Sequence, residues 1–362
     1  MILQPYWRGL PIEVTNVNQK CLHLSDFMPR SELVVDRVNV RKPKFPIIDT
    51  HTHFGPLVLG KNYAALYDTA KEVERFKEYG VRRVVSLELV WGEELDRLLE
   101  KIHPFEDFVT TFSSVDLTRL DGSDFETYVR TTLRQAKAKG VRGLKFWKDI
   151  GLSKKDRDGR YIALDDPRLK VIWETAAELG LIVLHHVADP VAFFKPVDQF
   201  NERFEELSRV PDWSFYRPEL YTFEELMEQQ ENMIRDNSAT TFIIAHGGSY
   251  SENLSCVSTW LDQYPNMYID IAARLGEFGR QPYTSRAFFE RHQDRILFGI
   301  DATAGHALNY QPYFEFLETW NEYFDYSSSK IPGQGRWKIY GIGLEDAILE
   351  KVYYKNAEKL GL

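Results

Sequence analysis

From Phe45 onward, short apolar runs rich in β-branched residues alternate with longer stretches in which apolar residues recur every three or four positions. The short runs are 45–49, 83–89, 108–115, 141–147, 181–186, 241–246, 267–271 and 295–301. The longer stretches have legible helix ends. Asp166 is a candidate N-cap, Pro167 fills the first helical position, and Gly180 follows Leu169, Ile172, Trp173, Ala176 and Leu179, which share one helical face. Ser123 and Glu126 have the spacing of a capping box ahead of Phe125, Val129 and Leu133, with Gly140 as the stop. Short strands that are each followed by an amphipathic helix need a parallel sheet covered by crossover helices. Eight such units predict the α/β class and a closed (β/α)8 TIM barrel over residues 45–362.

Two segments exceed the minimal barrel. Residues 1–44 end in Lys42-Pro43-Lys44-Phe45-Pro46 and are expected to form an N-terminal extension packed on the barrel, without chemistry of its own. Residues 187–221 leave the C-terminal end of the fifth strand and carry Phe193, Phe194, Trp213, Phe215 and Tyr216. Long loops on that face commonly wall an active site, although most such aromatics serve to pack the loop.

Composition narrows the function. With 43% hydrophobic and 27% charged residues, the chain of 362 can bury a large core. A net charge of −9 opposes broad contact with nucleic acid, which needs a basic face. Cys21 and Cys256 are far apart and in no metal spacing, so a reducing, cytoplasmic setting is expected. No stretch approaches the roughly 18 apolar residues of a spanning helix, so no membrane partner is expected.

The chemistry concentrates where the apolar runs end. His51 and His53, in Ile48-Asp49-Thr50-His51-Thr52-His53, are two apart on a strand and project together. Alone, the pair is as well explained by ordinary buried histidines. Three later runs, however, also terminate in His or Asp: His185-His186, His246 and Asp301. In a parallel barrel all the C-terminal strand ends meet on one face, so these side chains converge. Imidazoles with a carboxylate suit zinc first, and also manganese or iron, better than calcium or magnesium. Adjacent strand residues face opposite ways, so one of His185 and His186 points inward and the other toward the helices.

These motifs, Asp49-Thr50-His51-Thr52-His53, Leu184-His185-His186, Ala245-His246-Gly247-Gly248 and Phe298-Gly299-Ile300-Asp301, resemble those of the amidohydrolase superfamily. They are most similar to its amidohydrolase-2 branch, the aminocarboxymuconate semialdehyde decarboxylase-like enzymes, which also includes aromatic-acid decarboxylases and dicarboxylate lactonases. The resemblance runs from Phe45 to the C-terminus. It implies one divalent metal ion held by His51, His53, His186 and Asp301, with His246 catalytic beside it, and it selects His186 over His185. Ile300 stands where the branch usually has Thr, which leaves the ligand in place.

Three further residues are candidates for contact with a small-molecule substrate, in particular a carboxylate. Lys145 ends the fourth strand, where binuclear members of the superfamily carry a carbamylated lysine; it could equally pair with a carboxylate. Arg274 follows the seventh strand and could grip a carboxylate by a bidentate pair, or form a structural ion pair. His306 lies on the loop after Asp301 and could line the pocket, although a lone loop histidine is more often just exposed. His23, His103 and His292 lie away from strand ends and receive no role.

The expected activity is a metal-dependent hydrolase in which the cation lowers the pKa of water toward ~7 for attack on an ester, lactone or amide carbonyl. Asp301 and His246 would manage the protons, with His246 helping to stabilise the oxyanion. The alternatives are a carboxy-lyase (decarboxylase) acting on an unsaturated or aromatic acid, and a non-catalytic metal-binding barrel. A multi-metal phosphoesterase would need further His and Glu ligands at strand ends, and the full set is missing. Assembly as a homo-oligomer is compatible with the chain.

Overall fold

The computed structural model describes His23 and residues 26–362; the rest of the expected N-terminal extension lies outside the described residues. Among the described residues, those up to Val35 belong to one unit and Asp36–Leu362 to another. In the first, the described residues from Met28 onward lack regular structure and include the exposed Leu33 and Val34. In the second, residues 36–44 are tied down by side chains near the C-terminus. Asn321 accepts from Val38 N and donates to Val38 O, and Glu318 accepts from Lys44 N.

Nine parallel strands are found among the described residues: β1 (Ile47–His53), β2 (Val81–Leu87), β3 (Val109–Ser113), β4 (Gly143–Phe146), β5 (Ile182–His185), β6 (Phe242–Ile244), β7 (Met267–Asp270), β8 (Ile296–Leu297) and β9 (Ala302–Thr303). They pair in the order β8-β7-β6-β5-β4-β3-β2-β1-β9. β8 and β9 are the two ends of a single eighth barrel position, split at residues 298–301. Phe298 O accepts from both the backbone N and Oγ1 of Thr50, and Ala302 pairs with Thr52, so the barrel closes onto β1.

Where the sequence expects unbroken runs at 241–246 and 295–301, the strands stop short. His246 and Asp301 adopt left-handed backbone, with φ of 60° and 65°. Side chains other than glycine rarely sit there, and such residues cluster at functional sites. The helices follow the sequence closely. α1 (Phe125–Ala138) buries Phe125, Val129, Leu133 and Ala136. Its expected capping box does not form: Asp124, not Ser123, is the N-cap residue, and its carboxylate pairs with Arg119 instead. α2 (Lys170–Leu179) starts after a short turn whose backbone Asp166 caps, and it ends at Gly180 with φ of 61°.

Alternation along the strands sorts two cores. Ile48, Val85, Leu87, Phe112, Ile182, Leu184, Ile243, Tyr268 and Leu297 plug the lumen. Their neighbours Val84, Leu144, Val183, Phe242, Ile244, Ile269 and Ile296 face the helices. Gly143 contributes no side chain to the plug because a Cβ there would lie 2.4 Å from the Phe112 ring. Residues two further along the lumen face form the next layer: Lys145, His186 and Asp270. A register irregularity between Asp49 and Thr52 shifts the alternation of β1 by one, which lets His51 and His53 join that layer.

Candidate metal centre

His51 and His53 are both buried, with ring centroids 5.7 Å apart. Each has its Nδ1 engaged: His51 Nδ1 lies 2.8 Å from Asp270 Oδ2, and His53 Nδ1 lies 2.9 Å from the Leu87 carbonyl oxygen. A carbonyl can only accept, so the proton of neutral His53 sits on Nδ1 and the Nε2 lone pair points inward. Asp301 Oδ1 stands 3.2 Å from His53 Nε2 and 3.6 Å from His51 Nε2. Donor atoms of His51, His53 and Asp301 all fall within 4.8 Å of one another, a spacing that fits one cation. His51, His246 and Asp270 meet the same distance test, but Asp270 is already committed to hydrogen bonds with both histidines.

His246 takes its direction from the left-handed turn after β6. Its backbone N donates to Asp270 Oδ1 at 2.8 Å, and its Nδ1 donates to the Ala272 carbonyl at 2.8 Å. The resting imidazole therefore offers an Nε2 lone pair and acts as a proton acceptor; to donate to an oxyanion it must first take up a proton. Its ring centroid lies 4.7 Å from that of His51 and 4.2 Å from that of His186.

His186 is on the lumen face but outside the three-residue group, with Nε2 3.3 Å from Asp189 Oδ1. Asp189 is also bound by Lys148. His185 turns toward the helices, fully buried against Phe146 and Trp173. Burial pushes its pKa down to about 3.

Lys145 is buried, its Nζ 3.5 Å from His51 Nε2; burial lowers it to about 8, although Asp301 and Asp270 oppose this. Arg274 is also buried. Its Nη1 donates to Ala273 O, while Nη2 has no hydrogen-bond partner and lies 3.9 Å from Asp189 Oδ1. His306 is exposed and does not line the cavity, which corrects its candidacy for substrate contact; Gly305 before it has a φ of 79°, and the His306 carbonyl accepts from Arg75 at the surface.

These groups open onto a cavity of about 390 Å3 walled by Trp147, Phe193, Arg203 and Trp213 as well as Arg274 and Lys145. The long loop after β5 thus supplies part of the wall, while Phe194 and Phe215 pack against each other.

Two buried carboxylates beside the cluster carry no assignment from the sequence. Asp270 is the last residue of β7, two beyond the lumen residue Tyr268, and that spacing was its only signal. Glu88 follows β2 and accepts backbone N–H groups from Phe54, Gly55 and Leu57, fixing the loop that leaves His53. Nothing in the local sequence marks it. Asp49 is also buried, accepting from His51 N and from the Tyr310 hydroxyl; burial raises it to about 7.

Residues 48–360 match the family model described as amidohydrolase. The chain belongs to the amidohydrolase family. No curated protein matches this amidohydrolase in sequence. Among solved structures, a 2,6-dihydroxybenzoate decarboxylase complexed with 2,6-dihydroxybenzoate is 15% identical, with a TM-score of 0.51, covering 87% of this chain and 99% of its own. A Staphylococcus aureus protein assigned as an amidohydrolase is also 15% identical, with a TM-score of 0.54, covering 88% of this chain and 100% of its own. Likeness at this level shows a shared barrel. The amidohydrolase is a metal-dependent enzyme, and its His and Asp groups suit a divalent ion. No helix among the described residues is long and apolar enough to cross a membrane.

Proposed function

We propose that this amidohydrolase hydrolyses an ester, lactone or amide bond in a small anionic substrate, with one divalent cation, zinc first among the candidates, held by His51, His53, Asp301 and His186. The observation that carries this reading is the partly exposed Asp301, whose Oδ1 stands beside two inward-facing imidazoles in a cavity that also receives His246. When bound, the cation supplies Lewis-acid polarisation of a carbonyl and acidifies water. Asp301 and His246 are the proton acceptors. The proton lost by attacking water passes to one of them and returns to the leaving oxygen or nitrogen. Arg274, with its unpartnered buried Nη2, anchors a substrate carboxylate, and Lys145 adds positive charge at the cavity floor.

That same Nη2 of Arg274, which has no hydrogen-bond partner, favours a second reading, a carboxy-lyase acting on an aromatic or unsaturated acid, since such a reaction needs a clamp on the carboxylate. The two separate in one experiment. Metal-loaded protein is offered carboxylate-bearing lactones, esters and amides in one series and hydroxybenzoates in another, with acid release and carbon dioxide release as the readouts. Hydrolysis without carbon dioxide supports the first reading; carbon dioxide release with no hydrolysis overturns it.

A further inference from the structure

We infer that Asp270 is a positioning residue that aims two imidazoles at once, His51 through its ring and His246 through its backbone, so that both Nε2 atoms face the metal centre. Asp270 is fully buried at the end of β7. Its Oδ2 lies 2.8 Å from His51 Nδ1. Its Oδ1 accepts from His246 N at 2.8 Å and from Ala272 N at 3.0 Å.

The hydrogen bond to Ala272 N matters because the carbonyl of the same residue accepts the His246 Nδ1 proton. One carboxylate thus sets the His51 tautomer, holds His246 at its φ of 60° and fixes the carbonyl that sets the His246 tautomer. A carboxylate suits this place because all three of its contacts are donors. Outer carboxylates that accept from a ligating histidine orient the ring and raise its basicity.

The chemistry of Asp270→Asn follows from this set of contacts. The amide oxygen can keep the two backbone donors, which leaves NH2 facing His51 Nδ1. That nitrogen must then become an acceptor, so the proton moves to Nε2 and removes the lone pair that faces Asp301. His246 keeps its backbone support. The substitution therefore acts on the ring of His51 while the turn at His246 stays in place.

The inference rests on the proposed role of His51 as a ligand, and the test separates the two. Metal-free wild-type protein is labelled with 15N on histidine and its ring nitrogens are assigned; His51 and His246 should both be protonated on Nδ1 with Nε2 free. Zinc affinity is then measured by competition with a chelator for wild type and Asp270→Asn, with circular dichroism as the check of fold. The expected result is an apparent Kd raised about 10–100-fold, with the His51 ring switched to the Nε2-protonated form. Unchanged zinc affinity in folded Asp270→Asn, or wild-type His51 protonated on Nε2, overturns the inference. If Asp270→Asn does not fold, the wild-type tautomers alone still decide it. Wild-type protein that binds no zinc while His51 shows the expected tautomer would instead overturn the ligand assignment.

Discussion

His53 Nε2 lies 3.2 Å from Asp301 Oδ1, so an imidazole and a carboxylate meet at a spacing that one cation could bridge. Burial alone would lower the His53 pKa, but hydrogen bonding and charge from Asp301 and Glu88 outweigh it and raise the group to about 9. The metal-free site therefore holds a proton on His53 at neutral pH that a ligated imidazole must lose.

Metal affinity should accordingly rise with pH. His51, His186 and His246 are all lowered from the ordinary histidine value, so they are already neutral near pH 7 and contribute no slope. His53 is raised, so its proton competes with the cation below about 9. Between pH 6.5 and 8.5 the apparent affinity should gain about tenfold per pH unit for each proton displaced. Competition titrations that give a flat profile would contradict this assignment.

His51→Ala and His53→Ala should lose metal and activity together while the barrel still folds, since each removes an imidazole from the cluster. His186→Ala should do the same, since it removes a further imidazole from the lumen face. His185→Ala should keep the metal, because that ring lies among Phe146 and Trp173 on the helix side; its cost should be a cavity worth about 2–4 kcal/mol of stability. Metal content by mass spectrometry that follows His185 and ignores His186 would reverse the assignment.

Asp301→Asn should lower turnover by about 10²-fold or more even where metal is retained, since an amide is a poor proton acceptor. His246→Ala should also lose turnover with metal retained. Loss of metal in His246→Ala, read by mass spectrometry, would make His246 a ligand.

One cation per chain is expected. Lys145 sits 3.5 Å from His51 Nε2 and could bridge a second ion only as a carbamate. Stoichiometry should stay near one in bicarbonate-rich buffer, and Lys145→Ala should weaken substrate binding or turnover without metal loss. A ratio near two that drops in Lys145→Ala would establish a binuclear site.

The sequence by itself determined the order of strands and helices and placed His51, His53, His186 and Asp301 where apolar runs end, at the same end of a parallel barrel. Period-two alternation within apolar runs, and the common direction of parallel strands, are local rules that need no coordinates. It also separated His185 from His186 once the family motif was seen, because β5 keeps its alternation to the end.

The tertiary structure alone decided how the site is aimed. His246 and Asp301 leave strand geometry for left-handed backbone, and β1 shifts register between Asp49 and Thr52, so strand parity does not give their side-chain directions. Asp270 reaches histidines 24 and 219 positions away, and Glu88 accepts from residues 31 to 34 positions away. Such pairings leave no periodic trace in the chain. His306 shows the converse: close in sequence to Asp301, it is carried out to solvent by the turn of its loop. Which carboxylate meets which imidazole is fixed by closure of the barrel, which brings β7 beside β1 across the lumen, and no local pattern encodes that distance.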